Sequence, residues 1–351
     1  TDLTALMAGE KGVSVDEVGF EKAMAETKAR SRAAGKLSAD DWVQVHEDAE
    51  STFVGYDQRE SQCRILKYRE VQSKNKKFFQ LVLDVTPFYP EGGGQVGDAG
   101  EIVEAANTAG KALAIFDTKK ENNLIVHFTN SLPESPEANF VARVTRDRRD
   151  NTQRNHAATH LLHEALRDVL GTHVEQKGSL VKADALRFDF SHFSKMTSEE
   201  LLAVEQQVNA KILANHPLVE HRALPLEDAK ASGAMMLFGE KYGNVVRMIE
   251  FDSSKELCGG THAPATGALG LFRITQETAV ASGIRRIEAI TGSAALASVK
   301  EEQQTLEALR QLLKAPANLS KAVEDMQLKL AALQKEMDAI KQKEAASAKS
   351  D

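Results

Sequence analysis

With 351 residues, 42% apolar and 27% charged, the chain is long enough to bury a substantial core and is expected to be globular, with more than one domain. No stretch approaches the roughly 20 apolar residues of a membrane helix, and the first thirty residues lack a secretory apolar run, so a cytoplasmic location and no membrane partner are expected. The net charge of −7 argues against a broad polyanion-binding surface but not against a local basic patch.

Thr1 stands where an initiator Met would, which reads as a piece of something longer. Residues 1–36 carry a helical pattern: Val15, Val18 and Phe20 lead into the Ala-rich charged run Glu21–Ala34, which Gly35 can end. A connecting helix is expected there. From Trp42 to Val144 short apolar or alternating runs, Thr52–Tyr56, Cys63–Tyr68, Phe78–Val85 and Leu124–Thr129, are separated by polar turns. That spacing assigns residues 37–150 to a small β-barrel. Within it Gly92, Gly93 and Gly94 form either a floppy hairpin or a backbone that another molecule can approach closely. Arg143, Arg146, Arg148, Arg149 and Arg154 follow, partly offset by Asp147 and Asp150; they read as a basic patch or as a solvated turn.

A strong helix is expected from near Asn151, with Ala157, Leu161, Leu162, Ala165, Leu166 and Val169 on its apolar face and Gly171 as its stop. Strands at Leu186–Phe190, Val245–Phe251 and Leu271–Thr275 and a helix over about Ser198–Asn215 complete an α+β domain over residues 151–293. Residues 294–351 form a helical arm. Its second helix, after Pro316, spaces Leu319, Val323, Met326, Leu330, Leu333, Met337 and Ile340 as a coiled-coil seam. The alternative is one amphipathic helix packed on its own domain.

The chemistry gathers at two short motifs. His156 and His160, four residues apart on the expected helix, project from one face and can reach a single ion. His163 lies on nearly the same face. Cys258, Gly259, Gly260, Thr261 and His262 add a sulfur and a third imidazole, with two glycines expected to permit the tight backbone that brings both side chains inward. Nitrogen and sulfur donors in this combination suit Zn2+. The sequence holds only two cysteines, so Cys63 and Cys258 exclude a disulfide scaffold, and each is a buried thiol or a ligand. Four protein ligands would close a structural site, whereas a catalytic zinc keeps one position open, and both readings stand. A metalloprotease is disfavoured, because HAATH lacks the glutamate of H-E-x-x-H.

The run NHAATHLL from Asn155, with QKGS from Gln176, RFDFSH from Arg187, CGGTH from Cys258, TGALGLF from Thr266 and GIRRIEAITG from Gly283, resembles the editing domain of alanyl-tRNA synthetases. The likeness extends from Leu3 to about Asp351. Such domains are shared with freestanding AlaX deacylases and are similar to those of threonyl-tRNA synthetases. The resemblance implies a zinc site at His156, His160, Cys258 and His262, with Cys258 and His262 in the catalytic centre and Gln176 selecting the substrate. It implies hydrolysis of serine or glycine wrongly esterified to tRNA(Ala), with no covalent nucleophile. Residues 1–36 then look like the end of the tRNA-recognition helices, and the loop with Gly92, Gly93 and Gly94, together with Arg148 and Arg149, is expected to hold tRNA. The arm is expected to lead toward a C-terminal domain and to offer a homodimer contact. The aminoacylation domain, with its ATP site, is expected to lie outside this chain.

Overall fold

A computed structural model describes residues 16, 19, 22–23 and 38–347, except 48–49, 74–75, 108–109, 237–241 and 315. The connecting helix expected over residues 1–36 lies almost wholly outside these residues. The chain divides into two compact units, Thr1–Asp150 and Asn151–Asp351.

The first unit begins with β1 (Ser38–Ala39), β2 (Val43–Gln44) and β3 (Thr52–Phe53), and continues with β4 (Glu60–Ser73), β5 (Lys76–Leu83), β6 (Val85–Thr86) and β7 (Gly100–Glu104). It ends with β8 (Leu113–Glu121), β9 (Leu124–Thr129) and β10 (Asn139–Val144). Six of these strands close a barrel in the order β4-β10-β7-β8-β9-β5, with β5 returning to β4. Every pairing around the ring is antiparallel. Closure depends on the length of β4. Its first residues, from Glu60 to Arg64, pair with β10, and from Ile65 to Ser73 it pairs with β5, with a register irregularity between Ile65 and Lys67. A single long strand thereby bends to serve both edges and leaves none open. Inward-facing Cys63, Ile65, Leu81, Leu83, Phe88, Ile102, Ile115, Phe140 and Ala142 fill the centre. β8 and β9 join through Asn122 and Asn123, whose φ of 46° and 68° give the two-residue turn that matches strand twist.

Helix α1 (Arg146–Leu170) starts five residues before the expected Asn151. The second unit then adds β11 (Gln176–Val181), β12 (Leu186–Ser191), α2 (Ser198–Ala214) and β13 (Val219–Pro225). It continues with α3 (Leu226–Ala231), β14 (Val245–Phe251), β15 (Ser254–Leu257), β16 (Phe272–Ala281), β17 (Ile284–Thr291), α4 (Gly292–Leu312) and α5 (Leu319–Ser347). β11-β12-β17-β16 form one antiparallel sheet and β13-β14-β15 another. The apolar stripe of α1, from Ala157 through Leu161 and Leu162 to Leu166, shares a core with Phe188 and Phe190 of β12 and with Val204, Val208 and Ile212 of α2. Each such buried Leu or Phe contributes on the order of 1.5–3 kcal/mol. A capping box starts α2: Thr197 accepts from the Glu200 amide, and Glu200 accepts from the Thr197 amide. Asn215, in the left-handed region, ends it. Helices and strands thus alternate in α+β fashion, with the barrel as a separate all-β element.

Most of the apolar seam of α5 is solvent-exposed, with Leu319 and Val323 half-buried. Leu330 is 68% and Leu333 63% exposed, and Met326, Met337 and Ile340 are exposed as well. Neither leucine is packed into the core of the second unit. Among the described residues no helix is long and apolar enough to cross a membrane.

Candidate metal centre

The fold brings the two motifs together. One ligand atom each from His156, His160, Cys258 and His262 lies within 4.8 Å of all the others. α1 supplies the first two from adjacent turns of its buried face, and the irregular chain after β15 supplies the others. Cys258 Sγ stands 3.4 Å from His156 Nε2 and 3.6 Å from His262 Nε2. His262 Nε2 is 3.3 Å from His160 Nε2. The last separation is long for a good hydrogen bond between nitrogens. Burial holds His156 and His262 well below the usual histidine range, reinforced by neighbouring imidazoles and by Arg247. Burial also lowers His160, against an opposing pull from Glu256. Neutral rings therefore turn nitrogens toward one point, beside a thiol, in a pocket where the three histidines are at most 5% exposed. The Nδ1 atoms of His160 and His262 are buried without a hydrogen-bond partner. The atoms that converge are the Nε2 atoms of the three rings and Cys258 Sγ, and three nitrogens with one sulfur make a donor set that suits zinc.

His163 is not one of the four. Its Nδ1 lies 2.9 Å from Glu256 Oε1, and its ring packs against Phe188. Glu256 also approaches His160, with Oε2 3.7 Å from Nε2, so a buried carboxylate borders the cluster. Sequence reasoning missed it, although it sits two residues before Cys258. Cys63 is a core thiol of the barrel, and burial, with the charge of Asp84, pushes it up to about 12. It is inert packing rather than a ligand.

The Cys258–His262 turn does not place its glycines at positive φ, and a Cβ at Gly259 would meet nothing within 4 Å. A side chain also braces this turn. Arg247 Nη1 donates to Cys258 O and to Gly260 O, each at 2.7 Å.

Gln176 opens β11, half-buried, in register with Phe190. Directly paired antiparallel residues share a face of the sheet, so Gln176 belongs to the face carrying Phe190. Its Nε2 donates to Ser179 Oγ at 3.1 Å. It is not a member of the four-donor cluster.

In the first unit the glycine-rich segment is ordered. Gly92 and Gln95 exchange backbone hydrogen bonds around Gly93 and Gly94, whose φ of 57° and 80° favour glycine. Gly93 is exposed, with open space around it. Behind the turn, Arg149 is 1% exposed. It pairs with Asp98 and donates to Gly55 O and Pro87 O at 2.7 and 2.8 Å. The expectation that Arg149 touches tRNA is therefore corrected: its guanidinium is satisfied inside the unit and braces the loop. Arg148 is half-exposed, with Nη2 3.5 Å from Gly97 O. The sequence-level arginine cluster thus separates into a buried strut, Arg149, and outer residues such as Arg146, whose side chain is 84% exposed.

Comparison with known proteins bears on this geometry. Residues 1–148 match the family described as tRNA synthetases class II (A). Residues 245–288, which hold Cys258 and His262, match the threonyl and alanyl tRNA synthetase second additional domain. The chain is 51% identical to an alanine–tRNA ligase of Porphyromonas gingivalis over 97% of its length, which is 38% of that relative. It is 52% identical to those of Flavobacterium psychrophilum and Cytophaga hutchinsonii, over 97% and 96% of this chain and 39% and 38% of theirs. The chain thus spans about two-fifths of the length of these relatives.

Proposed function

Because the chain belongs to the alanyl-tRNA synthetase family, we propose that it carries an editing site that hydrolyses serine or glycine from wrongly charged tRNA(Ala). The observation that carries this reading is the convergence of His156, His160, Cys258 and His262, from two segments about a hundred residues apart in sequence, within 4.8 Å. These four residues would hold Zn2+. Bound there, the ion would polarise an ester carbonyl or lower the pKa of a coordinated water.

The chain's own residues supply the rest. Cys258, half-buried and facing two imidazoles, is a ligand rather than a nucleophile. The buried walls around the histidines exclude bulk water and strengthen local electrostatics. An aminoacyl ester is already activated, so the site has mainly to position it and stabilise an oxyanion. Selection is harder to achieve, since alanine and serine differ by one hydroxyl, and an apolar pocket rejects such an addition only about a hundredfold. Gln176 meets that need. With Nε2 engaged by Ser179, its Oε1 would be left to accept from a serine hydroxyl, which alanine does not offer. Glycine, smaller still, enters the same space, where its lack of a side chain leaves room for a water to meet Gln176.

Partners follow from the same reading. The backbone of Gly92, Gly93 and Gly94 and the half-exposed Arg148 form the tRNA-facing surface of the first unit, and the exposed seam of α5 is a contact for a second copy. A cytoplasmic location accords with this role. One observation favours a second reading, in which four protein ligands close the shell and the metal only holds the fold. Serine release from mischarged tRNA(Ala), measured with zinc and after chelation, separates the two. A structural site predicts no hydrolysis by folded, zinc-loaded protein.

A further inference from the structure

The turn that carries Cys258 has no regular structure to hold it, and its glycines have no special backbone conformation. β14 and β15 pair as far as Met248 with Leu257. One more ladder bond follows, from Cys258 N to Arg247 O at 3.1 Å. Beyond that point the chain leaves the ladder, and a side chain contributes to fixing its path. Arg247 reaches forward from β14, and its Nη1 donates at 2.7 Å to both Cys258 O and Gly260 O, two carbonyls on either side of Gly259. Its Nε donates at 2.5 Å to Glu220 Oε1 of β13. Both side chains are largely withdrawn from water, at 11% and 17% exposure. Glu220 is held in turn by Arg222, at 3.1 Å.

We propose that Arg247, anchored by Glu220, is a positioning residue that fixes the Cys258–Gly260 turn and so sets where the Cys258 sulfur meets His156, His160 and His262. This rests on the metal-site reading above and adds to it the part that shapes the donor set. The planar guanidinium suits this role, because one rigid fork can hold a carboxylate on one side and two carbonyls on the other. A lysine ammonium is a point charge on a flexible stem and reproduces only part of that arrangement. The turn has a further internal contact, Gly260 N to Cys258 Sγ at 3.4 Å, which depends on the same backbone path. Release of the two carbonyls would let the sulfur swing away while both α1 histidines stay on their helix.

The test uses the full chain loaded with Co2+, whose thiolate charge-transfer absorption reports the sulfur bond directly. Parent, Arg247→Lys, Arg247→Gln and Glu220→Gln proteins are compared for that spectrum, for the rate of metal loss to excess chelator, and for thermal unfolding. Removing a group that orients metal ligands typically weakens metal binding about 10–100-fold. Arg247→Gln is expected to lose metal faster by about that factor and to show a diminished charge-transfer band. Arg247→Lys is expected to be intermediate, and Glu220→Gln to shift the same way by less. Should Arg247→Gln fail to fold, Glu220→Gln decides alone, because it keeps the arginine. Parent-like spectra and metal loss in the folded variants overturn the proposal. A parent chain that takes up no cobalt overturns the metal reading itself, which is a distinguishable failure.

Discussion

Arg149→Met should destabilise the barrel unit severely without any direct effect on RNA contacts. The guanidinium is 1% exposed. It pairs with Asp98 through Nε, at 3.0 and 2.9 Å to the two carboxylate oxygens, and also holds the carbonyls of Gly55 and Pro87. Methionine restores volume but leaves a 3% exposed carboxylate with only backbone support, chiefly the Tyr89 amide at 2.7 Å. Breaking one side of a buried pair costs about 3–5 kcal/mol, a large part of the roughly 5–15 kcal/mol that holds a domain together. The single tryptophan, Trp42, lies in this unit beside the cluster of Leu66, Val82 and Val126, so its fluorescence reports this unit's unfolding in urea. With a slope of about 2 kcal/mol per molar, the midpoint should fall by about 2 M. The double variant Arg149→Met, Asp98→Asn removes the stranded charge and should recover part of the loss. A parent-like midpoint combined with weakened tRNA binding would refute the strut and restore Arg149 as an RNA contact.

Three further outcomes are expected. Burial lowers His127 to about 4; the unfolded chain, with the ordinary value near 6.5, then binds more protons between those limits, so stability is retained above about pH 6.5 and falls by about 3 kcal/mol as pH drops toward 4. Urea midpoints across that range should fall less steeply in His127→Gln than in the parent, and parallel slopes would count against it. Gln176→Ala should keep its metal and lose about 1–3 kcal/mol of discrimination between serine and alanine esters; hydrolysis rates for both substrates check this, and unchanged selectivity would remove Gln176 from the site. Leu330→Lys with Leu333→Lys should abolish self-association seen by sedimentation while thermal unfolding of the rest stays put, and a parent that is monomeric at high concentration would defeat the dimer reading.

What the sequence made legible was local. His156 and His160 are one helical turn apart, and Cys258 and His262 lie in one short motif, so each half of the metal cluster was readable from spacing. The seam of α5 and the extent of α2 were readable for the same reason. β11 was not, because Gln176, Lys177, Gly178 and Ser179 are polar and glycine-bearing, and only pairing with β12 makes them a strand. β13, mostly half-exposed or exposed, likewise lacked a buried alternation. The surroundings of the cluster were hidden by distance along the chain: His163 meets Glu256 across 93 residues, and Arg247 meets Glu220 across 27. Arg149 was misread because charge patterning carries no sign of burial. Its neighbours Arg146 and Arg148 are chemically identical and face outward to different degrees.

Editing by this chain is proposed to depend on the metal that the four-donor cluster would hold. The most direct measurement is the rate of serine release from serine-charged tRNA(Ala) by the parent chain as purified, after chelation and after zinc is restored, beside Cys258→Ala with its metal content determined. Chelation should stop release and zinc should restore it, and Cys258→Ala should lose both metal and activity, because three imidazoles alone bind more weakly than the full shell. Undiminished serine release by metal-free Cys258→Ala would contradict that dependence.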